Sequence, residues 1–364
     1  MSVTERPAYD ACLTDHGFEP LIAKGLTYPL GEYAPGYGDV FPIAEGVGWT
    51  RLPVPGLLKH INVWVLEDSD SGGDGVAIVD TGLNIPASKE AWERALGGRR
   101  VTRVFATHYH PDHIGCAGWL CATHGVPLWM NRTEYLLTRM LMADVRDEPP
   151  VEAVDQLIGA GWNNAQVAAM KARGWGNFAR IVSPLPVGHI RMTEGDVIRI
   201  GKRDWTVWVG RGHTPEHVCL VDHDGDLMIA GDQVLPRITS NVSVTITEPE
   251  ADPLGEWLAS ITKFRALPDS LLVLPAHGES FRGLHARLDR LEEGHRVSLD
   301  RLHSRLAEEP RRAVDCFGVL FARAIDDSIL GLATGEALAH LRHLEVTGRA
   351  VKEGRDGVYF YSAA

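Results

Sequence analysis

The stretch THYHPDH, residues 107–113, places three imidazoles and one carboxylate within six consecutive positions. Residues 101–106 directly before it, VTRVFA, predict a strand that runs into the cluster. Side chains of an extended segment alternate with a period of two, so His108 and His110 point to the same side. A turn at Pro111 then brings the last two residues of the stretch round towards a second point nearby. Because histidine is the commonest metal ligand in proteins, this spacing predicts metal binding and not core packing.

Three further polar residues follow predicted strands in the same way. Each comes just after an apolar segment and has glycine or proline beside it, which lets the loop bend. Loops at the ends of neighbouring strands form one rim, since the strands lie only about 5 Å apart. We therefore expect these residues to converge on the cluster at 107–113. They are His213 after residues 205–209, Asp232 after residues 227–230, and His277 after residues 271–274.

The rest of the chain predicts an α/β core with two additions. Strands at 47–52, 61–66 and 75–80 precede a helix that has Ser88 as its N-cap and ends at Gly97, and alternation of this kind is typical of layered α/β proteins. Two segments depart from the strand rhythm. They are a helical insertion over the site at about 131–180, and helices from 283 onward with a final helix at about 334–347 and a hairpin whose turn is 354–357.

The order HxHxDH, then His, Asp and His resembles the metallo-β-lactamase superfamily over about residues 45–282. This resemblance implies an αββα sandwich with the site at one edge, and we assign residues 1–282 to that catalytic domain. It also implies two metal sites that share one carboxylate, and a buried structural aspartate at Asp80 in VDTG. The implied ligands are His108, His110 and His213 for one metal, Asp112, His113 and His277 for the other, and Asp232 as the bridge.

The implied ligands are nitrogen and oxygen atoms only, so two divalent ions are expected, with Zn²⁺ the first choice and Fe or Mn open. Two cations that share a hydroxide lower the pKa of the bound water toward about 7 and polarise the scissile carbonyl or phosphoryl oxygen. The resemblance gives Asp112 a second role as the catalytic proton carrier to the leaving group. Asp80 is expected to hold backbone or histidine groups of the 107–113 loop from behind the ligands.

Residues near the expected ligands supply candidate substrate contacts. Arg237, Ser240 and Asn241 follow the bridging carboxylate, although a loop anchored by hydrogen bonds explains them equally well. Leu57 and Leu58 lie in a predicted turn between two strands and could form a flap over the substrate. These five residues are the predicted substrate-binding set.

Residues 283–364 resemble the winged-helix tail of the lactamase-β-2-like branch of the superfamily, which includes nucleases. This part of the chain has 12 Lys/Arg against 13 Asp/Glu, and the whole chain carries a net charge of −12. Such a charge opposes the counterion-releasing contacts on which nucleic-acid affinity depends. The C-terminal unit is therefore expected to pack on the catalytic domain or to form a homodimer, and a nucleic-acid partner is not expected.

Three functions remain open at this point. The favoured one is a binuclear metal-dependent hydrolase that cleaves a carboxylic ester, thioester or lactone in a small-molecule substrate. GHTPEH at 212–217 resembles the GHTPGH of glyoxalase II enzymes, but the segment 233–244 is not their glutathione-binding stretch. The alternatives are a phosphodiesterase or endoribonuclease, and a mononuclear iron enzyme like the persulfide dioxygenases, which share the HxHxDH loop.

The composition predicts a cytoplasmic protein without a membrane anchor. No run of about 18 apolar residues occurs, and the start MSVTERPAYD lacks the pattern of a secretory signal. The cysteines form no CxxC pair, so free thiols in a reducing compartment are expected. There are five: Cys12, Cys116, Cys121, Cys219 and Cys316.

Overall fold

A computed structural model describes residues 17–224 and 226–364. The start of the chain and Cys12, on which part of the compartment prediction depends, lie outside the described residues. Within the described residues, the cysteines at 116, 121, 219 and 316 are all free and buried. No helix in this part of the chain is both long enough and apolar enough to cross a bilayer.

Two sheets form the centre of the molecule. The first sheet has seven strands in the order β3 to β9, antiparallel from β3 to β6 and parallel from β6 to β9. A short hairpin of β1 (Leu21–Ala23) and β2 (Leu26–Tyr28) precedes it. The strands of the first sheet are β3 (Phe41–Ala44), β4 (Val47–Val54), β5 (Lys59–Asp70), β6 (Gly73–Val79), β7 (Val101–Phe105), β8 (Leu128–Asn131) and β9 (Ile190–Met192).

The second sheet has five strands in chain order, antiparallel except for the last pair. A separate two-stranded hairpin ends the chain. The strands are β10 (Val197–Ile200), β11 (Arg203–Gly210), β12 (His217–Asp222), β13 (Leu227–Gly231) and β14 (Leu272–Pro275), followed by β15 (Ala350–Arg355) and β16 (Val358–Ala363) in the hairpin.

Helices cover the outer faces of the sheets and form the predicted insertion. The insertion contains four of them, between β8 and β9. The helices are α1 (Pro86–Leu96), α2 (Pro111–Ile114), α3 (Ala117–His124), α4 (Arg132–Ala143), α5 (Val151–Ala160), α6 (Asn164–Ala172), α7 (Phe178–Ile181), α8 (Pro253–Phe264), α9 (Leu284–Glu308), α10 (Phe317–Leu320) and α11 (Leu330–Val346).

Three apolar cores hold the layers together, and their order gives the predicted αββα sandwich. The core between the sheets contains Trp64 from the first sheet and Trp205 from the second. The outer face of the first sheet packs on α1 and α3, with Trp92 fully buried there. The outer face of the second sheet packs on α8, α9 and α11, around Trp257. Burial of apolar surface on both faces of each sheet is the main stabilising contribution.

The C-terminal unit has the predicted helices followed by a hairpin, and it shares its core with the second sheet. A single cluster runs from Val273 in β14 through Leu288 in α9 and Leu341 in α11 to Tyr361 in β16. The predicted domain boundary after residue 282 falls just before α9 and stays a prediction, as does the winged-helix assignment.

Two local expectations are wrong in detail. Helix α1 begins at Pro86 with Ile85 as its N-cap, and Ser88 is a buried residue inside the first turn. Proline is favoured at this position because its φ is already helical and it lacks the amide hydrogen that would go unpaired. The C-terminal turn is shorter than predicted, since β15 extends to Arg355 and β16 begins at Val358. Asp356 and Gly357 both have positive φ, as a two-residue hairpin turn requires.

Candidate metal centre

The ligand candidates lie at one rim because the strands that carry them end together. Strands β6 and β7 are parallel neighbours, so Asp80 and the 107–113 loop leave the first sheet side by side. In the second sheet, β13 and β14 are parallel and Gly231 pairs with Pro275, which places Asp232 next to the residues that lead to His277. The β11–β12 connection carries His213 to the same end.

The first group of possible metal ligands is His108, His110, His213 and Asp232, whose ligand atoms all lie within 4.8 Å of one another. His108 Nε2 is 3.0 Å from His110 Nδ1, and His213 Nε2 is 3.3 Å from Asp232 Oδ2. His108 is fully buried and the other three are buried or half-buried. Three imidazoles and a carboxylate at this separation form a four-ligand site of the type that suits Zn²⁺.

The second group is Asp112, His113 and His277, again with all ligand atoms within 4.8 Å of one another. His277 Nε2 is 3.3 Å from Asp112 Oδ2, and His113 Nε2 is 3.8 Å from the same oxygen. Asp232 lies between the two groups, with Oδ2 3.5 Å from His113 Nε2 and Oδ1 3.5 Å from His277 Nε2. The structure therefore brings together all seven residues that the sequence proposed as ligands.

Several buried polar atoms of these residues make no hydrogen bond with protein groups. They are the Nε2 atoms of His113, His213 and His277 and the Oδ1 atom of Asp232. Buried polar atoms are nearly always paired, so a cluster of unpaired ones needs an explanation. Each of these unpaired atoms can supply a lone pair to a metal ion, and all of them face the same small space, which fits bound cations.

The opposite ring nitrogens hold the imidazoles in the orientation that leaves Nε2 free. His213 Nδ1 donates to the Asn241 carbonyl at 2.7 Å, and His277 Nδ1 donates to the His60 carbonyl at 2.9 Å. A proton fixed on Nδ1 makes Nε2 the atom with the free lone pair, as metal binding requires.

Asp80 and Thr107 support the ligands from beneath. The Asp80 carboxylate accepts the Thr107 amide at 2.8 Å and the Thr107 hydroxyl at 2.9 Å, and lies 2.8 Å from His113 Nδ1. The Thr107 hydroxyl is also 3.0 Å from His108 Nδ1. Asp80 has a positive φ of 62°, a conformation that aspartate tolerates better than most residues. One buried carboxylate thus fixes the loop backbone and a ligand ring together.

The charges in the site suit a cation. Burial opposes ionisation of Asp112, but His113 and His277 hold its pKa at about 2. Burial, followed by the nearby His213, lowers the pKa of His110 to about 3. At neutral pH the carboxylate is therefore an anion and this imidazole is neutral, which are the forms that bind metal ions.

Two family models match the chain. The model described as the metallo-beta-lactamase superfamily matches residues 57–277, and the one described as metallo-beta-lactamase-like, C-terminal domain, matches residues 299–364. The chain belongs to the metallo-β-lactamase superfamily. This confirms the family and the fold class predicted from the HxHxDH pattern, and the first ligand group fits that motif.

Individual relatives agree with this assignment. The crystal structure of a beta-lactamase domain protein from Burkholderia ambifaria is 37% identical, with a TM-score of 0.82, and the match covers 93% of this chain and 99% of that one. An uncharacterized protein of Aquifex aeolicus is 29% identical over 47% of this chain, and the match spans 64% of its own length. Atrochrysone carboxyl ACP thioesterase of Emericella nidulans is 24% identical over 77% of this chain and 74% of its own length.

In this superfamily member, a buried glutamate that the sequence did not single out joins the two ligand loops. Glu134 of α4 accepts the backbone amide of Tyr109 at 3.0 Å and that of Glu216 at 2.7 Å. Burial raises the pKa of Glu134 to about 7 against the lowering effect of these bonds. An isolated glutamate in an amphipathic helix gives no sequence signal, because its partners are backbone groups of distant loops.

His217, which lies outside the matched motif, holds the backbone of Asp232 in place. Its Nε2 accepts the Asp232 amide at 3.0 Å, and its ring centre is 4.6 Å from that of His108. Gly231 has a positive φ of 50°, and a Cβ there would come within 2.6 Å of the His217 ring. The close approach of this ring to the backbone therefore requires glycine before Asp232.

Some of the predicted substrate-binding residues already make contacts with other protein groups, and others are exposed. Arg237 pairs with Glu279 at 2.7 Å and stacks over a tyrosine ring, and the Ser240 hydroxyl donates to the Asp232 carbonyl. These contacts favour the alternative of a loop anchored by hydrogen bonds. Leu57 and Leu58 are 70% and 39% exposed in the turn before β5, whose His60 carbonyl orients His277. Substrate binding by these residues stays a prediction.

The C-terminal unit is linked to the candidate metal centre through Asn241. The Asn241 side-chain amide donates to Glu336 Oε2 in α11 at 2.9 Å. The main-chain carbonyl of Asn241 accepts from His213. Glu336 is mostly buried, and this burial raises the pKa of its carboxyl to about 7, although the bond from Asn241 lowers it. The sequence alone predicted only a packing or dimer role for this unit.

Replacing Glu336 with glutamine is expected to stabilise the metal-free protein at pH 8 and not at pH 4.5. The folded-state pKa lies above the unfolded value of 4.5, so the wild type loses stability as the pH rises from 4.5 to 7. A rise in the pKa of this size lowers the free energy of unfolding by about 3 kcal/mol above pH 7. Glutamine accepts the same hydrogen bond without a charge, and urea unfolding at both pH values measures the difference.

The matched control for this prediction is Glu353→Gln, because Glu353 is an exposed hairpin residue that pairs with Arg355 on the surface. A stability difference between Glu336→Gln and wild type that is the same at both pH values would contradict a raised pKa at this position.

Proposed function

We propose that the protein is a two-metal hydrolase that cleaves a carboxylic ester, thioester or lactone in a small-molecule substrate, with Zn²⁺ as the first choice of metal. The observation that carries the proposal is the pair of ligand groups arranged around Asp232, with their unpaired Nε2 atoms facing one another. His108, His110 and His213 would hold one ion, Asp112, His113 and His277 the other, and Asp232 would contact both. A mononuclear iron enzyme would not need the complete second group.

The residues of the chain divide the chemical work. Bound divalent cations acidify water and polarise the oxygen of a scissile carbonyl. Asp112, which lies beside His113 and His277, would be held as an anion by the cation that it ligates. It can therefore accept the proton that the attacking water loses and pass it to the leaving group, as a general base and then a general acid. Glu134 and Asp80 keep the two ligand loops in register during these steps.

Two observations favour an acyl compound over a phosphodiester. The chain has a net charge of −12, which opposes binding of a polyanion. One relative is by name a thioesterase, and it aligns over 77% of this chain. A thioester is the first choice within the class, because its thiolate leaving group departs without needing full protonation.

The test combines metal counting with a substrate panel. The purified protein is expected to hold two metal ions per chain, to hydrolyse short thioesters, esters or lactones, and to lose this activity on chelation. His213→Ala should lower the metal content and reduce kcat/KM by about 10²-fold or more, as loss of several kcal/mol of transition-state stabilisation implies. His223→Ala replaces an exposed histidine outside both groups and should change neither.

Other results of the same panel would overturn the proposal. One iron per chain with persulfide-dependent oxygen uptake would indicate the dioxygenase alternative. Salt-sensitive RNA cleavage without acyl hydrolysis would indicate a nuclease.

A further inference from the structure

An apolar groove of about 800 Å³ lies between the helical insertion and the start of α11. It is within the size range of small-molecule sites. Helix α6, which forms one side of the groove, has no fully buried residue. Leu332 on the opposite side is 60% exposed. The apolar residues that line it include Leu141, Leu157, Trp162, Met170, Phe178 and Leu332.

The two indoles of the groove offer only ring surface, because their N–H groups are already used. Trp162 Nε1 donates to the Thr334 hydroxyl at 2.9 Å, and Trp175 Nε1 donates to Asp144 at 2.7 Å. Among the described residues that line the groove, Arg173 is the single cation, and Asp144 and Asp327 are carboxylates. The groove therefore matches an apolar chain better than a phosphate-rich ligand.

On each side of the groove, a single residue lies in space between a groove residue and a candidate metal ligand. On one side, the Phe178 ring centre is 6.3 Å from that of Tyr109, which in turn is 4.6 Å from that of His110. On the other side, the Leu332 carbonyl is 3.5 Å from the side-chain amide of Asn241, the residue whose carbonyl orients His213. Tyr109 and Asn241 therefore separate the groove from the ligand candidates by the width of one side chain, a span that an acyl chain attached to a carbonyl at the metal centre can reach.

We propose that this groove binds the acyl chain of a thioester substrate, so that the C-terminal helix α11 takes part in substrate selection. The inference rests on the proposed function and adds that the protein recognises the acyl part of the thioester. Each methylene transferred from water into such a groove strengthens binding by up to about fourfold. A long-chain acyl group is therefore preferred over an acetyl group.

Two alanines of α6 provide a matched pair of variants. Ala169 lines the groove, whereas its neighbour Ala168 is exposed outside it. Ala169→Trp fills the groove, and Ala168→Trp makes the same chemical change on the same helix. The probes are acetyl, hexanoyl and decanoyl thioesters of N-acetylcysteamine, a small thiol that contributes little binding of its own.

For the metal-loaded wild type and for Ala168→Trp, kcat/KM is expected to rise with chain length. Ala169→Trp should lower kcat/KM for the decanoyl thioester by about 10-fold to 100-fold, equivalent to two or three methylenes at up to about fourfold each. The same variant should leave the acetyl thioester unchanged. Rates that do not depend on chain length, or an equal loss in both tryptophan variants, would overturn the groove assignment and leave the hydrolase proposal standing.

A binding measurement separates failure of the groove from failure of the proposed function. Decanoate is titrated into the metal-free protein, and the fluorescence of the groove tryptophans is followed. The expected result is saturable binding by the wild type and Ala168→Trp and its loss in Ala169→Trp. If no thioester is hydrolysed but this pattern is seen, the proposed function fails and the apolar-chain site stands. Absence of decanoate binding by the wild type overturns the site.

Discussion

Replacing Asp232 with asparagine is expected to lower kcat/KM by about 10³-fold or more, since bound metals contribute several kcal/mol of transition-state stabilisation. The Asp232 carboxylate lies 3.3 Å from Nε2 of His213 in the first ligand group. It also lies 3.5 Å from the Nε2 atoms of His113 and His277 in the second group. Without this anion, two cations would repel each other with no negative charge between them. We expect metal content to fall to one ion per chain or fewer, measured by elemental analysis alongside the rate.

The structure also indicates that this variant will fold. The backbone amide of Asp232 bonds to His217 and its carbonyl accepts from Ser240, and neither contact involves the substituted group. Asp224→Asn, an exposed change beyond β12, is the control. Two retained metals with a rate within tenfold of wild type would show that Asp232 does not bridge.

Replacing Asp80 with alanine is expected to destabilise the protein by about 3–5 kcal/mol, the range found when one partner of a buried charged pair is removed. Its carboxylate is the acceptor for the Thr107 amide and hydroxyl and for His113 Nδ1, all of which are buried. Alanine would also sit at the positive φ that aspartate tolerates better. Metal affinity should fall by about 10-fold to 100-fold, as for other residues that orient ligands.

A second variant separates these effects. Asp80→Asn tolerates the same backbone conformation and keeps one acceptor oxygen, so it should recover part of the stability while metal affinity stays reduced. Urea unfolding and metal competition measure the two quantities. Asp74→Ala, at an exposed position of β6, is the control. Unchanged stability and metal content in Asp80→Ala would refute the role assigned here.

The two groups of candidate ligands could be predicted from the sequence because each residue carries its own local signal. His108 and His110 show the period of an extended strand end, and His213, Asp232 and His277 each follow an apolar run with a glycine or proline nearby. Strand ends meet at a rim for general reasons, so the convergence also follows without coordinates. The layered architecture follows from the same apolar segments.

The supporting residues could not be predicted, because their partners are distant in the chain. Glu134 bonds to the amide of a residue 82 positions away, and Glu336 bonds to Asn241 across 95 positions. Neither glutamate belongs to a motif, and both appear in sequence as ordinary helix residues. Ser88 is wrongly predicted as the N-cap because serine is a good capping residue. Pro86, two residues earlier, is the stronger signal for the start of this helix.

The carbonyls behind His213 and His277 belong to the main chain of Asn241 and His60. Any amino acid at positions 60 and 241 supplies the same oxygen, so no point mutation there deletes the acceptor itself. Asp80, which serves His113, is a side chain and can be lost by a single nucleotide change. Among these three imidazoles, the one held by Asp80 is therefore the genetically vulnerable one, and random mutagenesis should find inactive variants at position 80 far more often than at 60 or 241.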